Sequence, residues 1–330
     1  MQAETNAGNT GDRRVKSSPP GISTHDSQEP GPSVLLLIGL HGDEAGQAEA
    51  PVRALVDAVL LRGTVRVVRC FPEQPDQRCV GPREEDPNRA FPPDDAHMDP
   101  FAQRQRLLMQ LVEEAEIVID FHRYHQRSGG PIAFPFDSWG QQLAQRIGIT
   151  RIVLGLVDTV DGALAMWAHD RGRQALVLEA GPKSSGEDTD HDILIATHAL
   201  LKALGMANSG PVAAFRGTWP DGPALLRCHG AVGAEGLTRG QQRSLDEEEH
   251  LGPLSERVIA TLGLSPDARL LMINPDADPV AFACLPEPDI TSSSGSPDAA
   301  QRPDTGSRQR ERARQIPSPR DRSDQDSGDA

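Results

Sequence analysis

The stretch LLLIGLHGDEAG, Leu35–Gly46, joins a run of aliphatic residues to a histidine and two acidic residues. A continuous aliphatic run is typical of a strand that is covered on both faces of a sheet. The polar residues follow where that strand should end. Because ligands of open α/β sheets bind outside the carboxyl ends of the strands, the stretch predicts a central strand with a functional site at its end.

Similar apolar runs recur along the chain and predict further strands. They are TVRVVRC (64–70), IVIDF (117–121), PIAFPF (131–136), RIVLGL (151–156) and ALVLEA (175–180). Apolar residues at helical spacing separate them, as between Val52 and Leu60, and again between Ile193 and Leu204 after a predicted start at 190–192. The alternation predicts an α/β domain over residues 33–207.

The two ends of the chain differ from this middle part. Residues 1–32 and 286–330 are rich in Ser, Pro, Gly, Asp, Gln and Arg and contain few aliphatic residues, which predicts disordered tails. From residue 208 the apolar pieces become short and are separated by Gly and Pro. This pattern predicts a smaller β-rich C-terminal domain at 208–285, built from PVAAFRG, PALLRC, ARLLMI and PVAFACL.

Composition excludes several classes of function. The chain of 330 residues is 37% hydrophobic, enough for a globular protein of enzyme size. Its formal charge of −15 disfavours a nucleic-acid partner, because phosphate binding requires a basic face. The four cysteines contain no C-x-x-C pair, which argues against a cysteine metal site.

The sequence also predicts where the protein resides. No apolar run approaches the roughly 18 residues that a membrane span requires, and the N-terminus lacks the basic and apolar regions of a signal peptide. We therefore expect a soluble, cytoplasmic protein without a membrane partner. The sequence leaves the oligomeric state open, including a homo-oligomer.

Two histidines and a glutamate follow the predicted strands in a pattern suited to a metal. His41 and Glu44 are three residues apart, so a turn lets their side chains converge on one cation. His122 ends the run IVIDFH, 78 residues after Glu44. Two imidazole nitrogens and one carboxylate, with a fourth position for water, form the ligand pattern of a catalytic zinc site.

Two acidic residues complete this predicted site. Glu179 ends a third strand, where its carboxylate could take a proton from a water activated by the metal. Asp120 lies two residues before His122 and therefore faces the same side of the strand, as a hydrogen-bond partner would. Each residue alone has a simpler interpretation: a lone histidine at a strand end is usually just solvated, and Glu179 could cap the following turn.

Four short motifs carry a resemblance to a known family. HGDE, DPNRAFP, DFH and EAGP follow one another in the order and approximate spacing of the succinylglutamate desuccinylase/aspartoacylase family, and the match runs from Leu35 to Leu204. The resemblance implies the zinc carboxypeptidase-like α/β fold, a mixed sheet flanked by helices. It also implies a zinc-dependent hydrolase that cleaves the amide of a small anionic N-acyl amino acid, similar to N-acetylaspartate or N-succinylglutamate.

The resemblance assigns roles residue by residue. His41, Glu44 and His122 correspond to the ligands of one zinc ion per chain, and Glu179 corresponds to the general base. In DPNRAFP, Asn88 and Arg89 correspond to the family's substrate-binding pair. A guanidinium suits a carboxylate because it can donate two parallel hydrogen bonds.

The chain departs from the family pattern at several substrate contacts. The family places an arginine seven residues before the asparagine, where this chain has Gly81, and Arg83 or Arg78 could substitute for it. Pro87 replaces a leucine and restricts the residue before it, which predicts a reshaped loop. The substrate-contacting tyrosine near the family's C-terminus has no equivalent, since the chain contains a single tyrosine, Tyr124.

Alternative functions remain open at this point. A zinc carboxypeptidase acting on peptides would use the same ligands in a more open cleft. A metal-binding relative without turnover would also tolerate the missing tyrosine, although it would have no need of Glu179. Arg89, for its part, could form a structural ion pair with Asp86 instead of binding substrate.

Overall fold

The computed structural model describes residues 21–44, 49–71, 86–94, 96, 99–125, 129–156, 160–208, 212–219, 223–232, 269–271 and 281–287. All of them fall within one unit of the chain, residues 1–288. The other parts of the chain lie outside the described residues.

The described residues form ten strands and five helices. The strands are β1 (Ile22–Asp26), β2 (Ser33–Ile38), β3 (Thr64–Arg69), β4 (Ile117–Tyr124), β5 (Ile132–Pro135), β6 (Arg151–Leu154), β7 (Gln174–Pro182), β8 (Ala224–Val232), β9 (Arg269–Leu271) and β10 (Ala281–Pro286). The helices are α1 (Glu49–Asp57), α2 (Pro100–Glu113), α3 (Ser138–Arg146), α4 (Leu164–Asp170) and α5 (Gly186–Ala203). The six apolar runs between residues 33 and 182 are all strands, as predicted.

One mixed sheet contains all of these strands, in the order β1-β3-β2-β4-β7-β5-β6-β8-β10-β9. Strands β3, β2, β4 and β7 pair in parallel, whereas β5 runs antiparallel to β7. Strands β5, β6 and β8 are again parallel, and β10 pairs antiparallel with both β8 and β9. The predicted α/β class with a mixed sheet is therefore confirmed.

The side chains of β2 show why this strand lies in the middle of the sheet. Leu36 belongs to an apolar cluster that includes residues of α1, α3 and α5. Leu35 and Leu37 belong to a second cluster with residues of α2 and α4. Because successive side chains of a strand point to opposite faces, β2 requires helices on both sides of the sheet.

The prediction of a disordered tail over residues 1–32 is wrong for residues 22–26. These residues form β1, which pairs antiparallel with β3 at the edge of the sheet. The strand ISTHD has a single aliphatic residue, so backbone pairing rather than an apolar pattern specifies it. Residues 1–20 and 288–330, the remainder of the two predicted tails, lie outside the described residues.

The described strands after residue 208 belong to the main sheet, and the smaller C-terminal domain at 208–285 stays a prediction, because much of that range lies outside the described residues. β8 pairs in parallel with β6 and so continues the main sheet, and Leu226 of β8 packs in one cluster with Val153 of β6. Three of the predicted apolar pieces overlap β8, β9 and β10, but the described part of PVAAFRG has no regular secondary structure.

The helix α5 begins earlier than its apolar stripe indicates. It starts at Gly186 rather than at 190–192, and its first turn carries Glu187 and Asp188, whose charges stabilise a helix N-terminus. Over the part of the chain that the structure describes, none of the helices has the length and hydropathy that crossing a membrane requires.

Candidate metal centre and active site

Three neighbouring parallel strands deliver the predicted site residues to the same edge of the sheet. Ile38 at the end of β2 lies in register with Phe121 of β4, so His41 beyond β2 comes close to His122 of β4. On the other side of β4, His122 lies in register with Glu179 of β7. The parallel order β2-β4-β7 therefore brings residues that are far apart in the sequence together.

His41, Glu44 and His122 form a buried cluster that could hold a metal ion. The Glu44 Oε2 atom lies 3.2 Å from His41 Nδ1 and 3.0 Å from His122 Nδ1. The Glu44 backbone N–H donates to the carbonyl of His41, and this tight turn returns the carboxylate toward the imidazole. One ligand atom of each residue lies within 4.8 Å of the others, so the structure brings the three predicted ligands together.

The charges of the cluster suit a cation. Burial alone would raise the pKa of Glu44. The charges and hydrogen bonds of His41 and His122 together have a larger, opposite effect and hold the pKa of Glu44 well below its ordinary value. Burial alone would lower the pKa of His122. The carboxylates of Asp120 and Glu44 together have a larger, opposite effect and raise the pKa of His122 well above its ordinary value. Glu44 is therefore an anionic donor, and a metal ion has to displace a proton from His122.

The set of donors fits zinc. Two imidazole nitrogens and one carboxylate are ligand types that zinc prefers, and a site with three protein ligands leaves a position for water or substrate. Cysteine ligands are absent from this cluster: among the described residues, Cys70, Cys228 and Cys284 are buried elsewhere in the core. Catalytic zinc sites commonly use three protein ligands of these types, whereas structural zinc sites commonly use four.

The outer nitrogen of each histidine faces an aspartate. His122 Nε2 lies 3.1 Å from Asp120 Oδ2, a contact that the strand spacing predicts. His41 Nε2 lies 3.1 Å from Asp86 Oδ1, a contact that was not predicted. A carboxylate on the outer nitrogen fixes the tautomer and the orientation of a metal-ligating imidazole. Both Nδ1 atoms are thereby left to face Glu44.

Asp86 also shapes the loop that carries the predicted substrate-binding pair. Its carboxylate accepts a hydrogen bond of 2.8 Å from the Asn88 backbone N–H and caps the short 3₁₀ turn Pro87–Arg89. Pro87 opens this turn, where its missing N–H costs nothing. One carboxylate thus contacts both His41 and the turn. In the sequence, this role of Asp86 is indicated only by its position before the turn, where an acidic side chain commonly caps the free backbone N–H groups.

Asn88 is buried between the metal cluster and α4. Its Nδ2 atom lies 3.2 Å from His122 Nε2, and its Oδ1 accepts a hydrogen bond of 3.0 Å from the Leu164 backbone N–H. Arg89 is exposed, and its Nη1 donates to the Asn88 carbonyl at 2.7 Å. Arg83, the other predicted substrate contact, lies outside the described residues, as do Arg78 and Gly81.

A lysine beside the cluster was not predicted. Lys183 forms an ion pair with Asp43, and its Nζ lies 3.6 Å from Glu44 Oε1. Because Lys183 follows β7 directly, this pair ties the loop that carries Glu44 to the end of β7. No motif of the sequence links residues 43 and 183, so only the fold reveals the contact.

One cavity collects most of the predicted site residues. It opens to solvent and is lined by His41, His122, Asn88, Arg89 and Glu179. Its remaining lining consists of apolar side chains from β5 and β7, of Phe136 and Leu156, and of the segment 160–166. Glu179 is only 4% exposed and shares this space with two of the candidate metal ligands. A concave, mainly apolar site with a few convergent polar groups is typical of small-molecule binding.

Comparisons with known proteins give matches among solved structures, whereas no protein-family model and no curated protein matches the chain. A succinylglutamate desuccinylase from Chromobacterium violaceum is 20% identical, with 81% of this chain and 89% of that chain covered and a TM-score of 0.55. The product-bound ectoine utilization protein EutE (DoeB) from Ruegeria pomeroyi is 18% identical, with 62% and 65% covered and a TM-score of 0.50.

A third structure, a succinylglutamate desuccinylase/aspartoacylase from Rhodobacter sphaeroides, is 21% identical, with 63% and 65% covered and a TM-score of 0.49. The chain thus spans 65% of the length of the Rhodobacter and Ruegeria proteins. The Chromobacterium structure is a succinylglutamate desuccinylase, in agreement with the resemblance seen in the sequence. At this level of identity, the likeness shows a shared fold.

Proposed function

We propose that the chain is a zinc-dependent hydrolase that cleaves the amide bond of a small N-acyl amino acid. The observation that carries this proposal is the shared cavity: it joins the donors His41 and His122, the carboxylate of Glu179 and the guanidinium of Arg89. The products are the carboxylate of the acyl group and a free amino acid. The fold shared with desuccinylases and aspartoacylases supports the assignment.

His41, Glu44 and His122 are the residues that would hold the zinc ion. When bound, zinc supplies Lewis-acid chemistry, which polarises the amide carbonyl and makes a nearby water more acidic. Asp86 and Asp120 keep the two imidazole rings in the orientation that presents Nδ1 to the ion.

Glu179 is the residue that we assign to proton transfer. Its carboxylate takes the proton of the water that attacks the carbonyl carbon, and the proton is then passed to the leaving nitrogen as the C–N bond breaks. The register of β4 and β7 places Glu179 beside His122, and its burial keeps competing water away. Replacement by an amide removes this proton acceptor without changing the size of the side chain.

Arg89 is the residue that we assign to the substrate's carboxylate. It is exposed at the cavity, and the turn that carries it is held by Asp86 and by the hydrogen bond between Asn88 and α4. A fixed guanidinium places the carboxylate of the amino acid at one end of the cavity, so the neighbouring amide reaches the metal cluster and Glu179.

Arg89→Ala is expected to lower kcat/KM by roughly 10²-fold, because a charge-assisted pair of a few kcal/mol is lost. Most of the effect should appear in KM, and zinc content should stay unchanged. Arg53→Ala, at an exposed arginine of α1, is the matched control and should leave the kinetics unaltered. Wild-type kinetics in Arg89→Ala would mean that another group, such as Arg83, binds the carboxylate.

Release of free amino acid from a panel of N-acyl amino acids tests the proposed function. The zinc-loaded protein is expected to hydrolyse at least one member of the panel and to leave C-terminal residues of peptides uncleaved. Zinc binding without hydrolysis of any member would favour a metal-binding relative, and trimming of peptides would favour a carboxypeptidase. Either result would contradict the proposal.

A further inference from the structure

The cavity is chemically divided into a polar part and an apolar part. The metal cluster, Glu179 and Arg89 provide its polar groups. Most of the remaining lining is apolar, and we define the apolar wall as the six side chains of Phe134, Phe136, Leu156, Val160, Met166 and Val177. A wall of this size cannot be a minor feature of the site, since it forms much of the surface that a substrate would contact.

Two side chains of the apolar wall, Phe134 and Val177, lie on the same face of the sheet as Glu179. Phe134 of β5 lies directly opposite Val177 of β7 in the antiparallel pair, and Glu179 lies opposite Ile132. Opposed residues of an antiparallel pair point to the same face, as do residues two apart on one strand. Phe134 and Val177 are therefore immediate neighbours of the carboxylate.

Two further side chains of the apolar wall, Val160 and Met166, belong to a segment that contacts the turn carrying Arg89. The segment 160–166 docks on the 3₁₀ turn through the hydrogen bond from Leu164 to Asn88. Gly162, with φ of 73°, approaches the turn so closely that a Cβ atom there would lie 2.3 Å from the Arg89 carbonyl oxygen. Val160 and Met166 of this segment therefore line the same cavity as the turn that carries Arg89.

We propose, on the basis of the proposed function, that the substrate is an N-acyl amino acid with a single carboxylate and an apolar side chain. Arg89 binds the α-carboxylate, the amide lies at the metal cluster, and the aliphatic or aromatic side chain packs on the apolar wall. This substrate class differs from N-acetylaspartate and N-succinylglutamate, which carry a further carboxylate.

The charges of the cavity support this choice of substrate. Among the described residues that line it, Arg89 is the one lysine or arginine side chain. Among these described residues, the apolar wall offers a second carboxylate no cationic partner to compensate for lost hydration, which is unfavourable. An apolar side chain of matching size would instead gain from leaving water.

Competing substrates test the inference separately from the proposed function. We expect N-acetylleucine, N-acetylmethionine and N-acetylphenylalanine to exceed N-acetylaspartate, N-acetylglutamate and N-succinylglutamate by about 100-fold or more in kcat/KM. Equal rates, or faster cleavage of the dicarboxylates, would overturn the inference and leave the deacylase proposal standing. Hydrolysis of none of these compounds would contradict the deacylase proposal itself.

A cation introduced into the apolar wall should reverse part of this preference. Met166 is half-buried on α4, so Met166→Arg can present its guanidinium to the cavity. We expect the ratio of kcat/KM for N-acetylleucine to that for N-acetylaspartate to fall by at least ~10-fold. Val56→Arg adds the same charge at an exposed position of α1 outside the cavity and should leave the ratio unchanged.

Two additions keep this test decisive. Val160→Arg places the cation in a non-helical segment of the same wall and serves if Met166→Arg does not fold. Calorimetry can measure the binding of N-acetylleucine and N-acetylaspartate to variants that also carry Glu179→Gln, which should leave both compounds uncleaved. This readout does not depend on turnover. If folded Met166→Arg and Val160→Arg both retain the wild-type preference in kinetics and in binding, the apolar wall does not determine specificity.

Discussion

Glu179→Gln is expected to lower kcat by about 10²–10⁴-fold, which corresponds to about 3–5 kcal/mol of activation free energy. The amide has nearly the same size as the carboxylate but cannot accept the proton of the attacking water. Because Glu179 is placed in the cavity and is not a member of the candidate ligand cluster, zinc content and thermal stability should change little.

The measurement combines steady-state kinetics with elemental analysis of the same protein sample. Glu187→Gln, at an exposed glutamate in the first turn of α5, makes the same chemical change away from the cavity and should retain wild-type kcat. A Glu179→Gln variant with near-wild-type kcat would show that another group accepts the proton. The assignment of Glu179 would then have to be withdrawn.

His122→Ala is expected to abolish stoichiometric zinc binding and, with it, hydrolysis. His122 is 2% exposed and contributes one of three donors, so its loss leaves too few ligands for a stable site. We expect zinc affinity to fall by more than ~100-fold, because removal of hydrogen-bond partners of a ligand alone costs 10–100-fold. Zinc should raise the Tm of the wild type but not that of the variant, since the ion stabilises only a protein that binds it.

The control for this variant is another histidine. His198→Ala removes an imidazole on α5 that contacts the Ala54 carbonyl, and this side chain does not line the cavity. It is expected to retain zinc and the zinc-dependent rise in Tm. Full zinc content in folded His122→Ala would contradict the ligand assignment.

The central part of this fold and its metal cluster were predictable because one physical signal specifies both. A strand covered on both faces must be a continuous apolar run, and polar residues directly after it must lie at the sheet edge. His41 and Glu44 follow β2 as this rule requires, whereas His122 lies within β4, which continues to Tyr124. Parallel pairing of the strands then brings these residues together.

Other features were not predictable because no local pattern encodes them. β1 has a single aliphatic residue, so the hydropathy of the sequence does not indicate that this segment pairs with β3. The contact between Asp86 and His41 joins residues that are 45 positions apart, and neither residue belongs to a shared periodic element. Lys183 reaches Asp43 across an even longer separation.

The arrangement of the apolar wall could not be predicted from the sequence either, because it depends on tertiary packing. The run PIAFPF predicts a strand, but its antiparallel placement next to β7 decides that Phe134 faces Val177. Similarly, the contact of the segment 160–166 with the turn at Asn88 depends on tertiary packing. The resemblance to a family of dicarboxylate deacylases therefore suggested an acidic substrate, whereas the packed cavity favours an apolar one.

Zinc titration of metal-free protein, followed by the rate of amino acid release, tests the central claim most directly. A chelator should abolish hydrolysis of the best N-acyl amino acid, and added zinc should restore the rate in proportion to the metal until about one ion per chain is bound. Hydrolysis that persists at the full rate in the metal-free protein would contradict the claim that His41, Glu44 and His122 form a catalytic zinc site.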